Sequence, residues 1–191
     1  MSQVNHTIPY IFTQDDVLSK DECQQLIERI EEIGPSSAPI NSIYGEVYRP
    51  SIRNNERIMF DDETLAQQLF NQVKDVLPKE VDGKTLLGAN ERIRCYRYKP
   101  GMQFAFHADG SFVRDEHERS YYSFLVYLNE EFEGGETSFL VEPETIITPE
   151  TGMGLLFQHP IIHAGERVTT GTKYVVRTDI MYRDMDEQTE G

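Results

Sequence analysis

The sequence predicts an α+β fold, mainly β, in one domain of 191 residues. Helical periodicity is confined to about the first 80 residues. From about residue 90 the chain consists of short β-rich segments separated by Gly, Pro and Asn. A chain of this length fits one hydrophobic core, whereas a second core would be undersized. We therefore expect helical support over residues 1–89, a β-rich core with the functional site over residues 90–183, and a polar tail over residues 184–191.

Two amphipathic helices are predicted in the first half of the chain. The first begins at a capping box formed by Ser19 and Glu22, and it ends at the Gly-Pro pair that follows residue 33. The second begins at the acidic pair Asp61 and Asp62 and ends before Pro78. The apolar residues at helical spacing are Cys23, Leu26, Ile27, Ile30 and Ile33 in the first helix, and Ala66, Leu69, Phe70, Val73 and Leu77 in the second.

Six strands are predicted after residue 90, because runs rich in β-branched and aromatic residues are bounded there by turn-forming residues. Short strands of this number suit a sandwich or jelly roll, with the helices packed against one sheet. The predicted strands are Arg92 to Tyr98, Gln103 to Asp109, Ser120 to Leu128, Glu136 to Val141, Met153 to Gln158 and Lys173 to Tyr182.

Charge and cysteine content limit the classes of partner. The net charge of −15 repels a phosphate backbone, so we expect no nucleic-acid partner. Residues Met1 to Thr13 do not form an export signal, and the chain has no apolar run of membrane-spanning length. These features predict a cytoplasmic protein without membrane association. The two cysteines, Cys23 and Cys95, are too few for a disulfide framework and are predicted to be buried thiols.

A metal site is predicted around His107 and Asp109. One residue separates them, so both side chains leave the same face of an extended strand. A third ligand must come from elsewhere, and His163, just beyond the strand predicted to end at Gln158, is best placed, with His159 as its competitor. Two imidazoles and one carboxylate leave three positions open on a metal, which suits Fe(II) that activates oxygen beside a chelating cosubstrate.

From about Arg92 to Tyr182 the sequence resembles the prolyl 4-hydroxylase-like branch of the Fe(II)/2-oxoglutarate-dependent dioxygenases. Four motifs occur in the family's order, which makes the resemblance specific. They are Tyr98-Lys-Pro-Gly101 leading into Phe104-Ala-Phe-His107-Ala-Asp109, Ser123-Phe-Leu125-Val-Tyr127-Leu-Asn129, Glu133-Gly-Gly-Glu-Thr137, and His163-Ala-Gly through Gly171-Thr-Lys173. The resemblance implies a double-stranded β-helix, a jelly-roll variant, with a metal at one mouth of the barrel and a cosubstrate deeper inside.

The resemblance also implies the catalytic set and its cofactors. His107, Asp109 and His163 take the positions of the iron ligands, and His163 is favoured over His159 because Lys173 follows it at the family's spacing of ten residues. The cofactors are then Fe(II), 2-oxoglutarate as cosubstrate, and O2, while a need for ascorbate is left open. The oligomeric state is also left open.

Four residues are candidates for binding 2-oxoglutarate. The resemblance implies that Lys173 binds the distal carboxylate, that Tyr98 helps to hold it, and that the Ser123 hydroxyl faces the cosubstrate. Arg177 shares a strand face with Lys173 and is the alternative clamp, unless it forms a buried ion pair with Asp179. Spacing favours Lys173.

The activity implied by the resemblance is hydroxylation of a substrate C–H bond with formation of succinate and CO2, and a peptidyl proline is the first candidate substrate. A free amino acid or other small molecule is the second, and a deep pocket capped by the charged loop Arg114 to Arg119 would favour it. A non-catalytic metal-binding jelly-roll module is the alternative of another class. Arg53 and Arg57 are predicted to lie on a solvated surface rather than at the mouth of the site.

Overall fold

The computed structural model describes residues 3–42 and 45–184, and these residues form two helices and 17 strands. The helices are α1 (Lys20–Ile33) and α2 (Glu63–Val73). The strands are β1 (Ile11–Gln14), β2 (Ser36–Ser37), β3 (Ile40–Ser42), β4 (Gly45–Val47), β5 (Glu56–Asp61), β6 (Glu80–Val81), β7 (Lys84–Ala89), β8 (Arg92–Tyr98), β9 (Phe104–His107), β10 (Glu118–Tyr127), β11 (Phe132–Gly134), β12 (Thr137–Phe139), β13 (Thr145–Ile147), β14 (Gly154–Gln158), β15 (His163–Gly165), β16 (Val168–Gly171) and β17 (Lys173–Asp184).

Helix α1 begins and ends where the sequence predicts. The Ser19 side chain accepts a hydrogen bond from the backbone N–H of Glu22, and the Glu22 carboxylate accepts one from the backbone N–H of Ser19. Gly34 ends the helix with a φ of +82°, a conformation that favours glycine. Ile33, which was predicted to continue the apolar stripe, is instead 52% exposed.

Helix α2 is shorter than predicted at both ends. Asp62 caps it by accepting a hydrogen bond from the backbone N–H of Leu65, whereas Asp61 belongs to β5. The helix ends at Val73 rather than at Leu77. The residue before a proline is disfavoured in helical conformation, and this restriction applies to Leu77. The Leu77 side chain is nevertheless buried, which explains why it fitted the apolar pattern.

A nine-stranded sheet forms the centre of the molecule and separates two cores. Its strands run in the order β1-β14-β10-β17-β8-β5-β2, and β7, which also pairs with β6, lies beside the second half of β17. One face packs against both helices, as predicted: Ile93, Cys95 and Val176 of the sheet share a core with Ile30 and Leu69 of the helices. The large sheet therefore presents its opposite face to the rest of the β structure.

The second core lies on that opposite face and includes residues of a smaller sheet. The small sheet has the strand order β13-β12-β15-β9. Phe139 of β12 joins Tyr127, Phe157 and Val175 of the large sheet in one buried cluster. The strand pairings described are all antiparallel. The fold is thus mainly β and antiparallel, in agreement with the predicted class.

The N-terminal half contributes more than helices. Strand β1 pairs with β14, β5 pairs with β8, and β7 pairs with β17, so each adds a strand to the large sheet. These strands are not predictable from sequence patterns, since β5 and β7 have no regular alternation of polar and apolar residues and β1 is only four residues long. None of the described helices is long and apolar enough to cross a membrane.

Candidate metal centre and adjoining cavities

Three predicted ligands come together between the two sheets. His107 at the end of β9 is the pairing partner of His163 on β15. Asp109 lies just beyond β9, where its backbone N–H donates to the carbonyl oxygen of His159 at 3.0 Å. The Asp109 carboxylate lies 3.7 Å from Nε2 of each imidazole. One ligand atom from each of the three residues lies within 4.8 Å of the others.

Both imidazoles present the nitrogen that a metal would need. Nδ1 of His107 bonds to the carbonyl oxygen of Ala105 at 2.8 Å, and Nδ1 of His163 bonds to that of Ile161 at 3.0 Å. A carbonyl only accepts hydrogen bonds, so each Nδ1 carries the proton and each Nε2 keeps its lone pair. Burial lowers the pKa of His163 and lowers that of His107 to about 4, so both rings are neutral at physiological pH.

The carboxylate of Asp109 is held in its ionised form by the residues behind it. Burial disfavours the charge, but the Arg177 guanidinium outweighs burial and keeps the pKa of Asp109 well below its usual range. Nη1 of Arg177 donates to one carboxylate oxygen at 2.9 Å, and the Ser123 hydroxyl donates to the other. These two donors fix the orientation of the carboxylate toward the two histidines.

His159 supports the site from behind and is not one of the three clustered ligands. Its side chain is buried, with Nδ1 2.9 Å from Ser123 Oγ and Nε2 2.7 Å from Ser120 Oγ. Both ring nitrogens are therefore engaged with hydroxyl groups. His159 was predicted only as a competing ligand, and its supporting position leaves no local signal because its two serine partners lie more than 30 residues away in the chain.

The donor set fits a divalent iron ion. Two neutral imidazoles and one carboxylate match the borderline character of Fe(II) and leave part of the coordination sphere to other ligands. Atoms bonded to one ion at about 2.1 Å can be at most about 4.2 Å apart. The separation of 3.7 Å from Nε2 of His107 to one Asp109 oxygen and that of 3.7 Å from Nε2 of His163 to the other oxygen both fall within this limit. The residues that would hold the ion are thus His107, Asp109 and His163.

Lys173 lies in a cavity that the three ligands also line, with about 430 Å³ of empty space, and we call it the inner cavity. The ammonium is buried, donates to the carbonyl oxygen of Gly135 at 2.6 Å, and lies 5.1 and 5.3 Å from the ring centres of Tyr98 and Tyr127. Burial lowers the pKa of Lys173 to about 7, although Glu136 and Glu166 act in the opposite direction. An anion in the cavity would stabilise the protonated amine.

Tyr98 stands beside Lys173 on the paired strand, as the register of β17 and β8 requires. Its side chain is buried and lines the same cavity, and burial raises the pKa of its hydroxyl. No described residue forms a hydrogen bond with that hydroxyl, whereas the neighbouring Tyr127 hydroxyl bonds to Thr137 at 2.6 Å. A buried hydroxyl without a protein partner is suited to a ligand.

Arg177 and Ser123 are placed differently from Lys173. Arg177 forms ion pairs with Asp109 at 2.9 Å and Asp179 at 3.1 Å, so the buried pair with Asp179 that the sequence left open is present. Ser123 bonds to Asp109 and His159 and is not among the residues that line the cavity. This geometry favours Lys173 as the carboxylate clamp and gives Ser123 a role in orienting Asp109.

A second, wider cavity opens in front of the metal ligands with about 1190 Å³ of empty space, and we call it the outer groove. Its walls include His107, Asp109 and Arg177, which it shares with the inner cavity, together with Arg53 and Arg57. Arg53 is only 7% exposed, so the prediction of a solvated surface position is wrong for this residue. Its guanidinium packs against the rings of neighbouring aromatic residues.

The charged loop Arg114 to Arg119 does not cap either cavity, since none of its residues lines them. Arg114 pairs instead with Glu91 and with Glu118, and Glu118 also pairs with Arg183. The loop is therefore tied down by ion pairs away from the metal ligands, and the outer groove stays open on that side.

Comparison with known proteins identifies the segment that carries this site. Residues 93–178 match the 2OG-Fe(II) oxygenase superfamily. Several solved structures share the fold. A viral collagen prolyl hydroxylase from Paramecium Bursaria Chlorella virus-1, in complex with 2-oxoglutarate, has a TM-score of 0.66 at 23% identity over 91% of this chain and 96% of its own. No curated protein sequence gives a significant match.

Two further structures extend the comparison. A prolyl-4-hydroxylase from Pseudomonas putida has a TM-score of 0.64 at 19% identity over 92% of both chains. A prolyl hydroxylase from Trichoplax adhaerens, in complex with a peptide of the hypoxia inducible factor oxygen degradation domain, has a TM-score of 0.65 at 14% identity over 91% of this chain and 83% of its own. The resemblance to prolyl 4-hydroxylase-like oxygenases is thereby confirmed: the family match supports a 2-oxoglutarate-dependent dioxygenase, and the three structures show that the fold is shared.

Proposed function

We propose that this chain is an Fe(II)- and 2-oxoglutarate-dependent dioxygenase that hydroxylates a C–H bond of a peptidyl proline, with succinate and CO2 as the other products. The observation that carries this proposal is that one cavity, the inner cavity, is lined both by the three metal-ligand side chains and by a buried lysine. A purely structural metal site has no need of a buried, desolvated ammonium next to it.

Each residue of the chain has a distinct part in this proposal. His107, Asp109 and His163 hold the iron, which together with 2-oxoglutarate and O2 supplies the oxidation when bound. Lys173 pairs with the distal carboxylate of 2-oxoglutarate, and the Tyr98 hydroxyl donates a hydrogen bond to the same group. Burial of the cavity on the core side keeps water away from the reacting atoms.

The choice of a peptide substrate rests on two observations. The fold neighbours that we compared are prolyl hydroxylases, and one of them is bound to a peptide. In addition, the outer groove is open beside His107 and is not covered by the loop Arg114 to Arg119. An extended peptide can lie in an open groove, whereas a free amino acid would call for an enclosed pocket.

The first test is titration calorimetry of 2-oxoglutarate into the protein loaded with Mn(II), which replaces the oxidisable iron. We expect binding in the micromolar range. The second test measures succinate release and the mass gain of one oxygen in proline-containing peptides. Absence of 2-oxoglutarate binding at millimolar concentration would overturn the oxygenase proposal, and binding without hydroxylation of any peptide would overturn the peptidyl proline substrate alone.

A further inference from the structure

The outer groove has a positive lining in a strongly negative protein. Among the residues that the structure describes, the charged ones on its walls are Arg53, Arg57, Arg94 and Arg177 against one acid, Asp109, although the chain carries a net charge of −15. Local charges in a groove with low-dielectric walls decide which ligand enters it, since distant surface charges are screened by salt. The groove therefore differs in sign from the molecule as a whole.

Two of the groove arginines are already neutralised inside the protein. Arg94 pairs with Asp179 at 2.9 Å, and Arg177 pairs with Asp109 at 2.9 Å and with Asp179 at 3.1 Å. These four residues form a closed network of two cations and two anions at the base of the groove. Neither arginine therefore needs an external anion to balance its charge.

Arg53 differs, because its contacts are with neutral groups. Its Nε donates to the Asn55 side chain at 2.7 Å and its Nη1 to the carbonyl oxygen of Pro39 at 3.2 Å. Its Nη2 is buried and has no hydrogen-bond partner, and no carboxylate among the side chains that the structure describes forms an ion pair with it. A guanidinium stays charged at any physiological pH, and burying it without a counter-charge is costly. Such a cation is prepared for an anionic ligand.

The position of Arg53 relates it directly to the metal site. Its guanidinium lies 4.4 Å from the ring centre of Phe104, and that ring is stacked on His107 with a centre separation of 3.6 Å. The backbone is fixed as well. Arg53 forms an isolated β-bridge with Phe104, and the N–H of Ala105 donates to the carbonyl oxygen of Ile52 at 2.8 Å. The Arg53 guanidinium is thus held near the proposed iron ligand His107, at a distance that about two residues of an extended peptide would span.

We propose that Arg53 binds a carboxylate of the substrate, close to the carbon that is oxidised. This inference deepens the proposed function and rests on it. The carboxylate belongs either to an Asp or Glu side chain within about two residues of the target proline, or to the α-carboxylate of a free amino acid. In both cases the planar guanidinium offers Nη2 and its neighbouring N–H groups to the two oxygens.

The test uses a set of labelled peptides, each with one central proline and a single Glu. The Glu position varies among the peptides within about two residues on either side of the proline, and each peptide has a partner with Gln at the same position. Fluorescence anisotropy measures their binding to the protein loaded with Mn(II) and 2-oxoglutarate. At one position or more, we expect the Glu peptide to bind about 10- to 100-fold more tightly than its Gln partner. Free L-proline and its amide, used as competitors, identify an α-carboxylate as the source instead.

Three variants connect the preference to Arg53. Arg53→Gln should reduce the Glu-over-Gln preference to near unity, Arg53→Lys should retain part of it, and Arg49→Gln should leave it intact. Arg49 is the matched control because it is exposed, lies in the same segment, and is not part of the groove wall. If Arg53→Gln does not fold, Arg53→Lys decides, because a lysine lacks the planar guanidinium and should lower the Glu-over-Gln preference; an unchanged preference in Arg53→Lys would overturn the assignment to Arg53.

The outcomes separate this inference from the proposed function. Equal binding of Glu and Gln peptides at every position, together with equal binding of L-proline and its amide, would overturn the carboxylate site. A preference that persists in Arg53→Gln would also overturn it. Succinate formation by the iron-loaded protein without substrate reports on the oxygenase activity alone. If no succinate forms, the proposed function is contradicted whatever the peptides show.

Discussion

Lys173 is the residue on which the proposed cosubstrate site depends most. Its ammonium is buried in the inner cavity, where a single carbonyl oxygen is its hydrogen-bond partner. We predict that Lys173→Met weakens 2-oxoglutarate binding to the Mn(II) form by about 100-fold or more, because the distal carboxylate loses its buried counter-charge. Titration calorimetry measures the change. The exposed Lys79→Met serves as the control and should bind as the unchanged protein does.

The same substitution should stabilise the protein without ligand. In the folded chain the pKa of Lys173 is about 7, against 10.5 for an ordinary lysine. Between these values the unfolded state binds the additional proton, so stability increases with pH, and the cost of burial is greatest at pH 7 and below. Lys173→Met should raise the free energy of unfolding by about 2–4 kcal/mol at pH 7, with a smaller gain at pH 9.5. Urea unfolding at both pH values checks this, and a loss of stability at pH 7 would contradict it.

The affinity for 2-oxoglutarate should show the opposite trend with pH. Only the protonated form of Lys173 can pair with a carboxylate, and its pKa of about 7 puts deprotonation in the accessible range. We predict that the dissociation constant is flat below pH 7 and rises by up to about tenfold per pH unit above it. Calorimetry from pH 6 to pH 9 measures the profile. A constant affinity between pH 6.5 and pH 8.5 is the outcome that excludes this role.

Ser123 should matter for the metal rather than for the cosubstrate. Its hydroxyl donates to Asp109 and bonds to His159, so it orients the only carboxylate ligand. We predict that Ser123→Ala weakens Mn(II) binding by about 10- to 100-fold, with 2-oxoglutarate affinity of the metal-saturated protein nearly unchanged. Ser138→Ala is the matched control, a buried serine on β12. Equal metal affinity of the two variants would argue against the role in orientation.

At the scale of elements, the large sheet lies between the core that packs against the helices and the core that adjoins the candidate metal site. The helices pack on one face, and the metal ligands lie beyond the other. We predict that Leu69→Ala in α2, at a fully buried position, lowers the free energy of unfolding by about 3 kcal/mol without changing the 2-oxoglutarate affinity of the folded protein. Leu87→Ala, at a position 40% exposed, should cost about 0.5 kcal/mol or less. Urea unfolding and calorimetry on both variants test the separation.

The elements differ in how well the sequence predicts them, and the reason is where their stability comes from. Strand β8 has the predicted bounds, since its pattern of apolar residues is set by burial on both faces. Helix α1 was predicted from its own cap. Strand β5 was missed because its sequence has no regular alternation of polar and apolar residues, and its place in the sheet is set by pairing with β8. Tertiary pairing of that kind leaves no local signal.

The three ligands and Lys173 could be predicted because each occupies a fixed spacing in a motif. Their support could not, since it joins distant parts of the chain: Arg177 and Ser123 both reach Asp109, more than 10 residues away. Arg53 was placed on the surface because a polar segment gives no sign of the groove that forms around it. Sequence spacing indicates which residues share a strand, whereas residues that line a common cavity can be recognised only in the folded structure.

At the scale of the whole molecule, the charge of −15 should destabilise the compact state through repulsion between acidic side chains. We predict that raising NaCl from about 10 mM to about 300 mM increases the free energy of unfolding by about 1 kcal/mol, since the screening length falls below the spacing of surface charges. Urea unfolding measures the increase. A chain with the exposed Glu32, Glu80 and Glu144 changed to Gln should respond less to salt. An equal response would mean that the effect is not due to repulsion.

Strand β9, which carries His107, has two different neighbours. On one side it pairs with β15, which brings His163, and on the other it is bridged by the segment that carries Arg53. The proposed iron site and the segment that carries Arg53 thus meet on one short strand but come from separate parts of the chain. If the proposed function holds, randomising the side chains of residues 48–55 varies what the groove accepts and leaves His107, Asp109 and His163 unchanged, so the molecule becomes a scaffold for selecting new hydroxylases.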